Sequence, residues 1–329
     1  MTILITGATG GLGRNAAELA LQTGSPVLAL GRNPAALAEL AAQGCRTVAA
    51  DLTRPLPPKL LHGIRAVWHC AALSSPWGRY ADFHAANVLA TKQLAQAAGQ
   101  AQVPVFVHIS TPSLYFDFHH RRNVSENFRP VRYANHYAAT KALAEQRILA
   151  AAEKFPHTRF VMLRPRAIFG RHDQVLLPRL LHVIRQRGFL PLPRGGAALM
   201  DFTYAPNVAH AMRLATDRPG IPSGSVFNIT NQEPLALRQV VDTLLKGYLK
   251  LDFPIRTPPY PLLAAAAAAL EGWSALSRRE PLFTRYSIAA LHYDMTLDNR
   301  AAQTLLGYTP PHNMQQAMAA TARYWHERL

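Results

Sequence analysis

The 329-residue sequence predicts an α/β fold, in which a doubly wound parallel sheet is followed by a smaller C-terminal lobe. Up to about residue 170, short apolar runs alternate with longer segments of helical periodicity. This alternation is typical of a parallel sheet with helices on both faces. A glycine-rich turn joins the first apolar run to the first helix. Beyond residue 170 the alternation loosens, and proline and glycine interrupt 188–196, 218–224 and 254–261.

The elements follow from apolar periodicity and from turn residues. Strands are expected near 2–6, 26–30, 46–50, 65–70, 104–110 and 158–163, and helices near 11–22, 34–43, 79–99, 134–154 and 174–187. Residues 226–229 resemble another buried strand, so the chain is expected to return to the sheet. We predict a first domain over 1–170 with a return near 200–232, and a second lobe over 171–329.

The turn after the first strand carries three glycines, Gly7, Gly10 and Gly13, in the spacing G-x-x-G-x-x-G. Gly7 allows a sharp turn, Gly10 allows the backbone to approach a pyrophosphate, and Gly13 allows close packing of helix on strand. The helix N-terminus offers free N–H groups to phosphates. The sequence therefore predicts a Rossmann-type dinucleotide-binding domain. Its predicted cofactor site also includes Thr9, Gly11, Leu12 and Arg14.

The end of the second strand indicates which dinucleotide is bound. An NAD site usually has an acidic residue there for the ribose 2′-hydroxyl, whereas this chain has Gly31 and Arg32. A guanidinium can bind a 2′-phosphate, and Arg14 could reach the same group. We predict NADP(H), with NAD(H) as the alternative. In the competing interpretation, Arg32 only precedes the helix that begins at Asn33 and Pro34.

Composition is that of a globular chain, with 49% hydrophobic and 16% charged residues. Cys45 and Cys70 are its two cysteines, which suits a reducing compartment without a disulfide framework. The chain opens on a strand, so no signal peptide is expected, and no apolar run reaches the roughly 20 residues that span a bilayer. These features predict a cytoplasmic protein.

The charge balance is basic, with 35 lysines and arginines against 19 acidic residues. No nucleic-acid recognition motif accompanies the scattered arginines, so nucleic-acid binding is not predicted. An anionic ligand, an anionic membrane surface and a merely basic solvated surface remain as interpretations.

Two segments carry groups suited to catalysis. The strand near 104–110 ends in hydroxyl residues, Ser110, Thr111 and Ser113. Tyr137 and Lys141 are four residues apart, which places them one turn apart on the same face of a helix. An ammonium near a phenol lowers its pKa, and such a phenol can act as an acid or base in carbonyl–alcohol interconversion. A nearby hydroxyl can hold the carbonyl oxygen.

These motifs together resemble the extended short-chain dehydrogenases/reductases. The resemblance covers nearly the whole chain. It is strongest to the branch of 3β-hydroxysteroid dehydrogenases, sterol-4-carboxylate decarboxylating dehydrogenases and 2-alkyl-3-ketoalkanoate reductases. It implies that Tyr137 and Lys141 are catalytic, together with Thr111, which is located by counting back from Tyr115. Ser110 and Ser113 compete with Thr111 for that role. The resemblance also implies cofactor contacts from Asp51, Leu52, Ala71, Ala72, Asn87, Ser110, Pro165 and Ala167.

Four residues are candidates for substrate contacts. Trp77 is either a pocket wall or a loop anchor, and Tyr115 is either a pocket wall or part of the core. Ser113 and Arg285 are the other two, although Arg285 could equally be an ordinary surface arginine. His69, His84 and His108 lie in or near apolar segments and are interpreted as packed or capping histidines. No set of residues has metal-ligand spacing, so no metal is predicted.

The function predicted first is an NADP(H)-dependent oxidoreductase that interconverts 3-hydroxy and 3-keto groups on an apolar substrate, a β-keto acid or a sterol-like molecule. The alternatives are a nucleotide-sugar epimerase or dehydratase and a non-catalytic regulatory protein that binds the cofactor. A homodimer is one hypothesis for its assembly. Segment 260–279 is apolar and ends in Arg278 and Arg279, so it is either a helix at the active-site entrance or a peripheral membrane contact.

Overall fold

A computed structural model describes residues 1–277, 280–281 and 283–328 of the chain. Its strands are β1 (Thr2–Thr6), β2 (Val27–Gly31), β3 (Arg46–Ala49), β4 (Ile64–His69), β5 (Val105–Ile109), β6 (Arg121–Val124), β7 (Arg159–Pro165), β8 (Ile168–Phe169), β9 (Leu190–Pro191), β10 (Leu199–Met200), β11 (Thr203–Tyr204), β12 (Ser225–Ile229), β13 (Leu235–Ala236), β14 (Ile255–Arg256) and β15 (Met295–Leu297).

The α-helices are α1 (Gly11–Gln22), α2 (Pro34–Ala42), α3 (Tyr80–Phe83), α4 (Ala90–Gln100), α5 (His136–Lys154), α6 (Leu176–Arg187), α7 (Ala205–Asp217), α8 (Leu237–Val240), α9 (Tyr260–Ser277), α10 (Arg285–Ala290) and α11 (Met314–His326). A wider π-helical turn at His84–Leu89 joins α3 to α4, so the predicted helix near 79–99 is continuous over 80–100.

Seven parallel strands form the central sheet of the described chain, in the order β12-β7-β5-β4-β1-β2-β3. After β3 the chain crosses to the other side of β1, and β4 pairs there with β1 in parallel. The strand order therefore reverses between β1 and β4. In sheets of this kind, ligands bind in the crevice at the carboxyl ends of the strands on either side of the reversal. The turn after β1 and the loop after β4 meet at this point.

Helices cover both faces of the sheet, and apolar side chains fill both interfaces. Residues of α1, α2 and α7 share one buried cluster with β1, β5 and β12. Residues of α4 and α5 share a second cluster with the opposite face of the sheet. The parallel, doubly wound α/β fold is therefore confirmed, and all the strands and helices predicted up to residue 187 are present.

The smaller lobe has its own apolar core, to which α6, α8 and α11 contribute. A four-stranded sheet of β13, β10, β15 and β6 lies beside it. Strand β6 comes from residues 121–124 but pairs with β15, more than 170 residues later. The first 170 residues thus contribute one strand to this second sheet, and the exact domain boundary remains a prediction.

Candidate active site

The glycine turn between β1 and α1 is shaped by close backbone contacts. Gly7 has φ of +64°, and a Cβ there would lie 2.7 Å from the backbone nitrogen of Ala71. A Cβ on Gly13 would lie 2.2 Å from the carbonyl oxygen of Gly7, so α1 packs directly against the end of β1. A Cβ on Gly11 would lie 2.6 Å from the carbonyl oxygen of His172. These three glycines are therefore needed by the fold itself.

Gly10 differs, because the protein leaves space beside it. Its φ is −85°, and a Cβ there would meet one atom within 4 Å, the Gly7 carbonyl oxygen at 3.3 Å. Among the described residues no side chain caps α1, although the first N–H groups of any helix lack intrahelical acceptors. Open space beside free N–H groups is what a pyrophosphate requires. The residues present therefore fit a bound dinucleotide.

The two arginines that could bind a 2′-phosphate, Arg14 and Arg32, have different surroundings. Gly31 packs so closely on Thr9 that a Cβ would lie 2.6 Å from the Thr9 Cγ2 atom. Arg32 is exposed, and within the described chain it forms no ion pair. Arg14 instead binds the carboxylate of Glu39 at 2.5 Å. Asn33 does cap α2 by accepting from the Ala36 N–H at 3.2 Å, so the helix-start interpretation of this segment also holds.

The remaining predicted cofactor residues lie after β3, in the π-helical turn before α4 and at the carboxyl ends of the strands. Asp51 follows β3, and hydrogen bonds from the backbone and side chain of Thr53 lower the pKa of its carboxyl group. Asn87 is buried and uses its amide on the backbone of Leu73 and on the Thr140 hydroxyl, so it fixes the loop after β4 to α5. The others lie along the carboxyl ends of the strands: Leu52, Ala71, Ala72, Pro165 and Ala167. Ala167 has φ of +43°, a conformation that is strained for a residue with a Cβ.

Helix α5 positions the predicted catalytic pair. Asn135 caps its start by accepting from the Ala138 N–H at 2.8 Å. Tyr137 lies in the first turn, partly buried, and burial raises the pKa of its phenol above the usual value. Hydrogen bonding from the Thr111 and Ser74 side chains opposes this rise in the pKa. Lys141 does not contribute to the Tyr137 pKa, so the expected lowering by its ammonium is not seen.

The reason is the direction of the lysine side chain. Lys141 is fully buried, and its Nζ donates to the Ile109 carbonyl oxygen at 2.7 Å and lies 2.9 Å from His108 Nε2. Burial lowers the pKa of Lys141 to about 7. Burial also lowers the pKa of His108 well below its usual value, so the imidazole is neutral and its Nε2 accepts from the ammonium. The ammonium is therefore held against the end of β5.

The structure separates the three candidate hydroxyl groups. Ser110 donates to the buried Glu145 carboxylate at 2.6 Å, which directs it away from Tyr137. Thr111 accepts from the Ser113 N–H at 3.1 Å, and its side chain is close enough to Tyr137 to affect the phenol pKa. Ser113 lies one step further out, 2.8 Å from the hydroxyl of Tyr286. Among the three, Thr111 is the hydroxyl beside the phenol.

A cavity of about 860 Å³ adjoins this row of hydroxyl groups. Tyr286 lines the cavity and connects it, through Ser113, to Thr111 and Tyr137. The cavity lies between the segment before α5, the segment after Tyr115, and helices α9 and α10. Its lining is mixed. Phe118, Val131, Tyr133, Ala134, Tyr260, Ala264 and Tyr286 supply rings and aliphatic groups, and Asp117, His119, Arg132, Asn135, Glu271 and Arg285 supply polar and charged groups.

Two of the four substrate candidates have other roles in the structure. Tyr115 is fully buried, and its hydroxyl bonds to the Asn228 amide oxygen at 2.8 Å and accepts from Arg164, so it belongs to the core rather than to a pocket wall. Arg285 lines the cavity, but its guanidinium binds the Glu271 carboxylate at 2.7 Å. Trp77 is partly exposed in a loop held by Ser75, and its substrate role stays a prediction.

Sequence reasoning missed the neighbours of the catalytic residues. Tyr286, Ser74 and His108 contact the site or its lysine, but each lies in a segment that was interpreted for another reason. Tyr286 is next to Arg285, and both line the cavity, so the sequence identified the segment but not this tyrosine. His108 was interpreted as a packed histidine, and it is both packed and hydrogen-bonded to Lys141. No pattern in the sequence indicates these pairings, because they join residues far apart in the chain.

Within the part of the chain that the structure describes, no three His, Cys, Asp or Glu residues are grouped as metal ligands. None of its helices is long and apolar enough to cross a membrane.

The fold and the glycine turn define a class of enzymes that bind a nicotinamide dinucleotide at the switch point of a parallel sheet. The model of the NAD dependent epimerase/dehydratase family matches residues 3–230. The chain therefore belongs to this family and is an enzyme, an extended short-chain dehydrogenase/reductase. Family membership confirms the resemblance inferred from the motifs.

Individual relatives extend over nearly the full chain. The sequence is 44% identical over 329 residues to the uncharacterized protein YbjS of Escherichia coli K12, covering 98% of this chain and 97% of that protein. It is 34% identical over 330 residues to a 2-alkyl-3-oxoalkanoate reductase of Stenotrophomonas maltophilia, covering 97% of both.

Among solved structures, the UDP-glucuronic acid 4-epimerase of Bacillus cereus, in complex with UDP-glucuronic acid and NAD, superposes with a TM-score of 0.79. The two sequences are 22% identical, and the match covers 100% of each chain. At this identity the likeness shows a common fold.

Proposed function

We propose that this enzyme is an NADP(H)-dependent oxidoreductase that interconverts a 3-hydroxy and a 3-keto group on an apolar substrate, a β-keto acid or a sterol-like molecule. The observation that carries the proposal is the pair of neighbouring hydroxyl groups on Tyr137 and Thr111, which Ser113 and Tyr286 connect to a cavity of about 860 Å³. A carbonyl oxygen placed between these hydroxyls can accept a hydrogen bond from one and a proton from the other.

The chemistry divides between cofactor and protein. When bound, the nicotinamide supplies or accepts the hydride at its C4 atom. In the reductive direction Tyr137 gives its proton to the forming alkoxide, and the raised phenol pKa keeps that proton available at neutral pH. Thr111 orients the oxygen. Lys141, whose pKa burial lowers to about 7, is held one helical turn from the phenol by the Ile109 carbonyl oxygen and by His108.

The cavity supports an apolar substrate. Its volume of about 860 Å³ suits a molecule of drug or sterol size, and rings and aliphatic groups form about half of its lining, beside charged and polar groups that could bind a carboxylate or a hydroxyl group. The Stenotrophomonas relative is named for a substrate of this kind, an alkyl-substituted 3-oxoalkanoate. A nucleotide sugar would require several cations for its diphosphate, and one of the two arginines in the cavity lining, Arg285, is bound to Glu271.

The preference for NADP(H) is supported by Arg32. It is exposed at the end of β2, without an ion-pair partner in the described chain, so its guanidinium is free to bind a 2′-phosphate. Gly31 lacks the acidic side chain that usually binds the ribose of NAD, and a Cβ there would lie 2.6 Å from the Thr9 Cγ2 atom, so Thr9 would have to move to admit one.

The test is a substrate panel with purified enzyme. Oxidation of NADPH is followed with 2-alkyl-3-oxoalkanoates, 3-keto sterols and UDP-sugars, and Tyr137→Phe serves as the catalytic control. We expect turnover with a keto acid or keto sterol, and a fall in kcat of ~10²–10⁴ in Tyr137→Phe with little change in cofactor affinity. Epimerisation of a UDP-sugar would favour the epimerase alternative. Cofactor binding without turnover of any class would favour the regulatory alternative.

A further inference from the structure

Helix α9 (Tyr260–Ser277) has two different faces. Tyr260, Ala264 and Glu271 line the cavity, and their spacing of four and seven residues places them on one side of the helix. Leu262, Trp273 and Leu276 lie on the opposite side, at about 160–220° from Tyr260 around the helix axis. They are 64%, 69% and 81% exposed, although each is a large apolar side chain.

The outward face of α9 has no charged side chain among its described residues. Its exposed positions are Pro261, Leu262, Ala265, Ala266, Ala268, Ala269, Gly272, Trp273 and Leu276. Glu271, the one charged residue of the helix, is on the cavity side and binds Arg285. A soluble monomer rarely leaves such a continuous apolar face in water, so the face is expected to contact another surface.

Cations border this helix. Arg256 lies at the end of β14, four residues before α9, and its guanidinium stacks on the Phe189 ring at 4.2 Å. Arg187 stacks at 5.3 Å on the ring of Phe283, immediately before the cap of α10, which packs against α9. Both arginines are exposed, and neither is paired with an acidic side chain in the described chain. The whole chain has a net charge of +16.

We propose that the outward face of α9 rests on the surface of an anionic lipid bilayer. Leu262, Trp273 and Leu276 enter the boundary between headgroups and acyl chains, while Arg187 and Arg256 contact lipid phosphates. An apolar face flanked by cations, with a tryptophan at headgroup level, is the arrangement of helices that lie in a membrane interface. Segment 260–277 thereby combines the two interpretations of the sequence. One face forms the cavity wall, and the other contacts the membrane.

This placement has a consequence that rests on the proposed function. Because α9 separates the cavity from the bilayer, an apolar substrate dissolved in lipid would reach the cavity along the helix without crossing bulk water. The docking proposal itself is tested without substrate or turnover, so its failure and that of the proposed function are distinguishable.

The first experiment is co-sedimentation of the 329-residue chain with vesicles of phosphatidylcholine alone or with one quarter phosphatidylglycerol, at low salt. The variant Leu262→Glu/Trp273→Glu is compared with Leu149→Glu/Leu305→Glu, which changes the same net charge at exposed leucines outside α9. We expect the wild type and the control to bind anionic vesicles. The α9 variant should bind roughly tenfold more weakly or worse, because its apolar side chains no longer leave water. Arg187→Gln/Arg256→Gln should reduce the preference for anionic vesicles.

A second measurement is made on the unaltered chain, with Trp273→Phe as its control. Brominated lipids should quench part of the tryptophan fluorescence on vesicle binding, and Trp273→Phe should abolish that quenched part. The proposal is overturned if the wild type stays in the supernatant with anionic vesicles, or if the α9 variant binds as well as the control. It is also overturned if light scattering shows a dimer that the α9 variant converts to a monomer, since a second copy would then cover the face.

Discussion

At the residue scale, the site depends on which hydroxyl faces which partner. Ser110, Thr111 and Ser113 are equivalent candidates in the sequence, but the structure gives each a different neighbour. Ser110 is bound to Glu145, which in turn holds Arg164 in a buried pair. Thr111 is beside Tyr137, and Ser113 contacts Tyr286. We therefore expect substitutions of these three residues to have different effects on stability and on turnover.

Thr111→Val keeps the shape of the side chain but removes its hydroxyl. We expect kcat to fall by about 10²–10³, as for the loss of one group that stabilises charge in a transition state. The free energy of unfolding should fall by about 1 kcal/mol, because the Thr111 hydroxyl also accepts from the Ser113 N–H. Ser110→Ala should affect stability only. Its kcat should stay near wild type, while the free energy of unfolding falls by about 1–3 kcal/mol because a buried charged hydrogen bond is lost. Steady-state kinetics and urea unfolding check both. A large fall in kcat confined to Ser110→Ala would assign catalysis to that residue instead.

Arg32→Ala tests the choice of cofactor. If the guanidinium binds the 2′-phosphate, the affinity for NADPH should fall by about 1.5–3 kcal/mol while that for NADH barely changes. Arg147→Ala is the matched control, because it removes an exposed, unpaired arginine of the described chain from α5. Titration of both cofactors by fluorescence measures the difference. Equal weakening of NADPH and NADH would show that Arg32 does not contact the phosphate.

At the element scale, the glycines of the turn between β1 and α1 have different roles. Gly13 is required by the contact of helix with strand, whereas Gly10 borders space that the protein does not fill. The sequence predicted both roles from spacing alone, because the G-x-x-G-x-x-G pattern combines a steric requirement of the fold with a steric requirement of the ligand. The structure allows the two to be distinguished by experiment.

Gly13→Ala should destabilise the protein, since its Cβ would lie 2.2 Å from the Gly7 carbonyl oxygen and α1 would have to move. We expect a loss of about 1–3 kcal/mol in the free energy of unfolding, the usual cost of overpacking. Gly10→Ala should leave the cofactor-free protein near wild-type stability but lower cofactor affinity by roughly tenfold or more, because the methyl group occupies the pyrophosphate position. Thermal melts with and without NADPH separate the two. Wild-type affinity in Gly10→Ala would contradict this placement of the cofactor.

The elements themselves were predictable where their apolar pattern is local. Strands β1, β2, β4, β5 and β7 each contain a run of three or more apolar residues, because both faces of a central parallel strand are buried. The short strands of the second sheet were not predicted. Four residues at 121–124 and three at 295–297 become strands by pairing with each other, and a pairing partner more than 170 residues away leaves no periodic signal in the chain.

At the scale of the whole molecule, buried polar side chains connect the layers. His69 on β4 is fully buried between the hydroxyls of Thr6 on β1, at 2.7 Å, and Thr91 on α4, at 2.9 Å. Burial lowers the pKa of His69 to about 3, and Lys141 adds to that effect. The folded protein therefore holds this histidine neutral over a pH range in which the unfolded chain protonates it.

The consequence is a loss of stability in acid. Below pH 6.5 the unfolded state binds a proton that the folded state excludes, so His69 reduces stability progressively as the pH falls from 6.5 to about 3. The slope for one such group is about 1.4 kcal/mol per pH unit, and His108 adds a loss of the same sign. The free energy of unfolding of His69→Gln, measured in urea at pH 7.0, 5.5 and 4.5, should fall less steeply with decreasing pH than that of the wild type. The difference in slope should correspond to the uptake of about one proton. The exposed His182→Gln should retain the wild-type slope. Equal slopes in all three proteins would contradict the burial effect.

The sequence by itself determined the class of fold, the dinucleotide turn and the Tyr137–Lys141 pair, because apolar runs, glycine spacing and a four-residue helical interval are local properties. Family membership confirmed that class. The tertiary structure decided what each side chain faces. It placed Tyr115 in the core, Arg285 on Glu271 and Lys141 on His108, and it gave α9 a cavity face and an outward face. These relations join segments distant in the chain, and only the packing of layers brings their atoms within bonding distance.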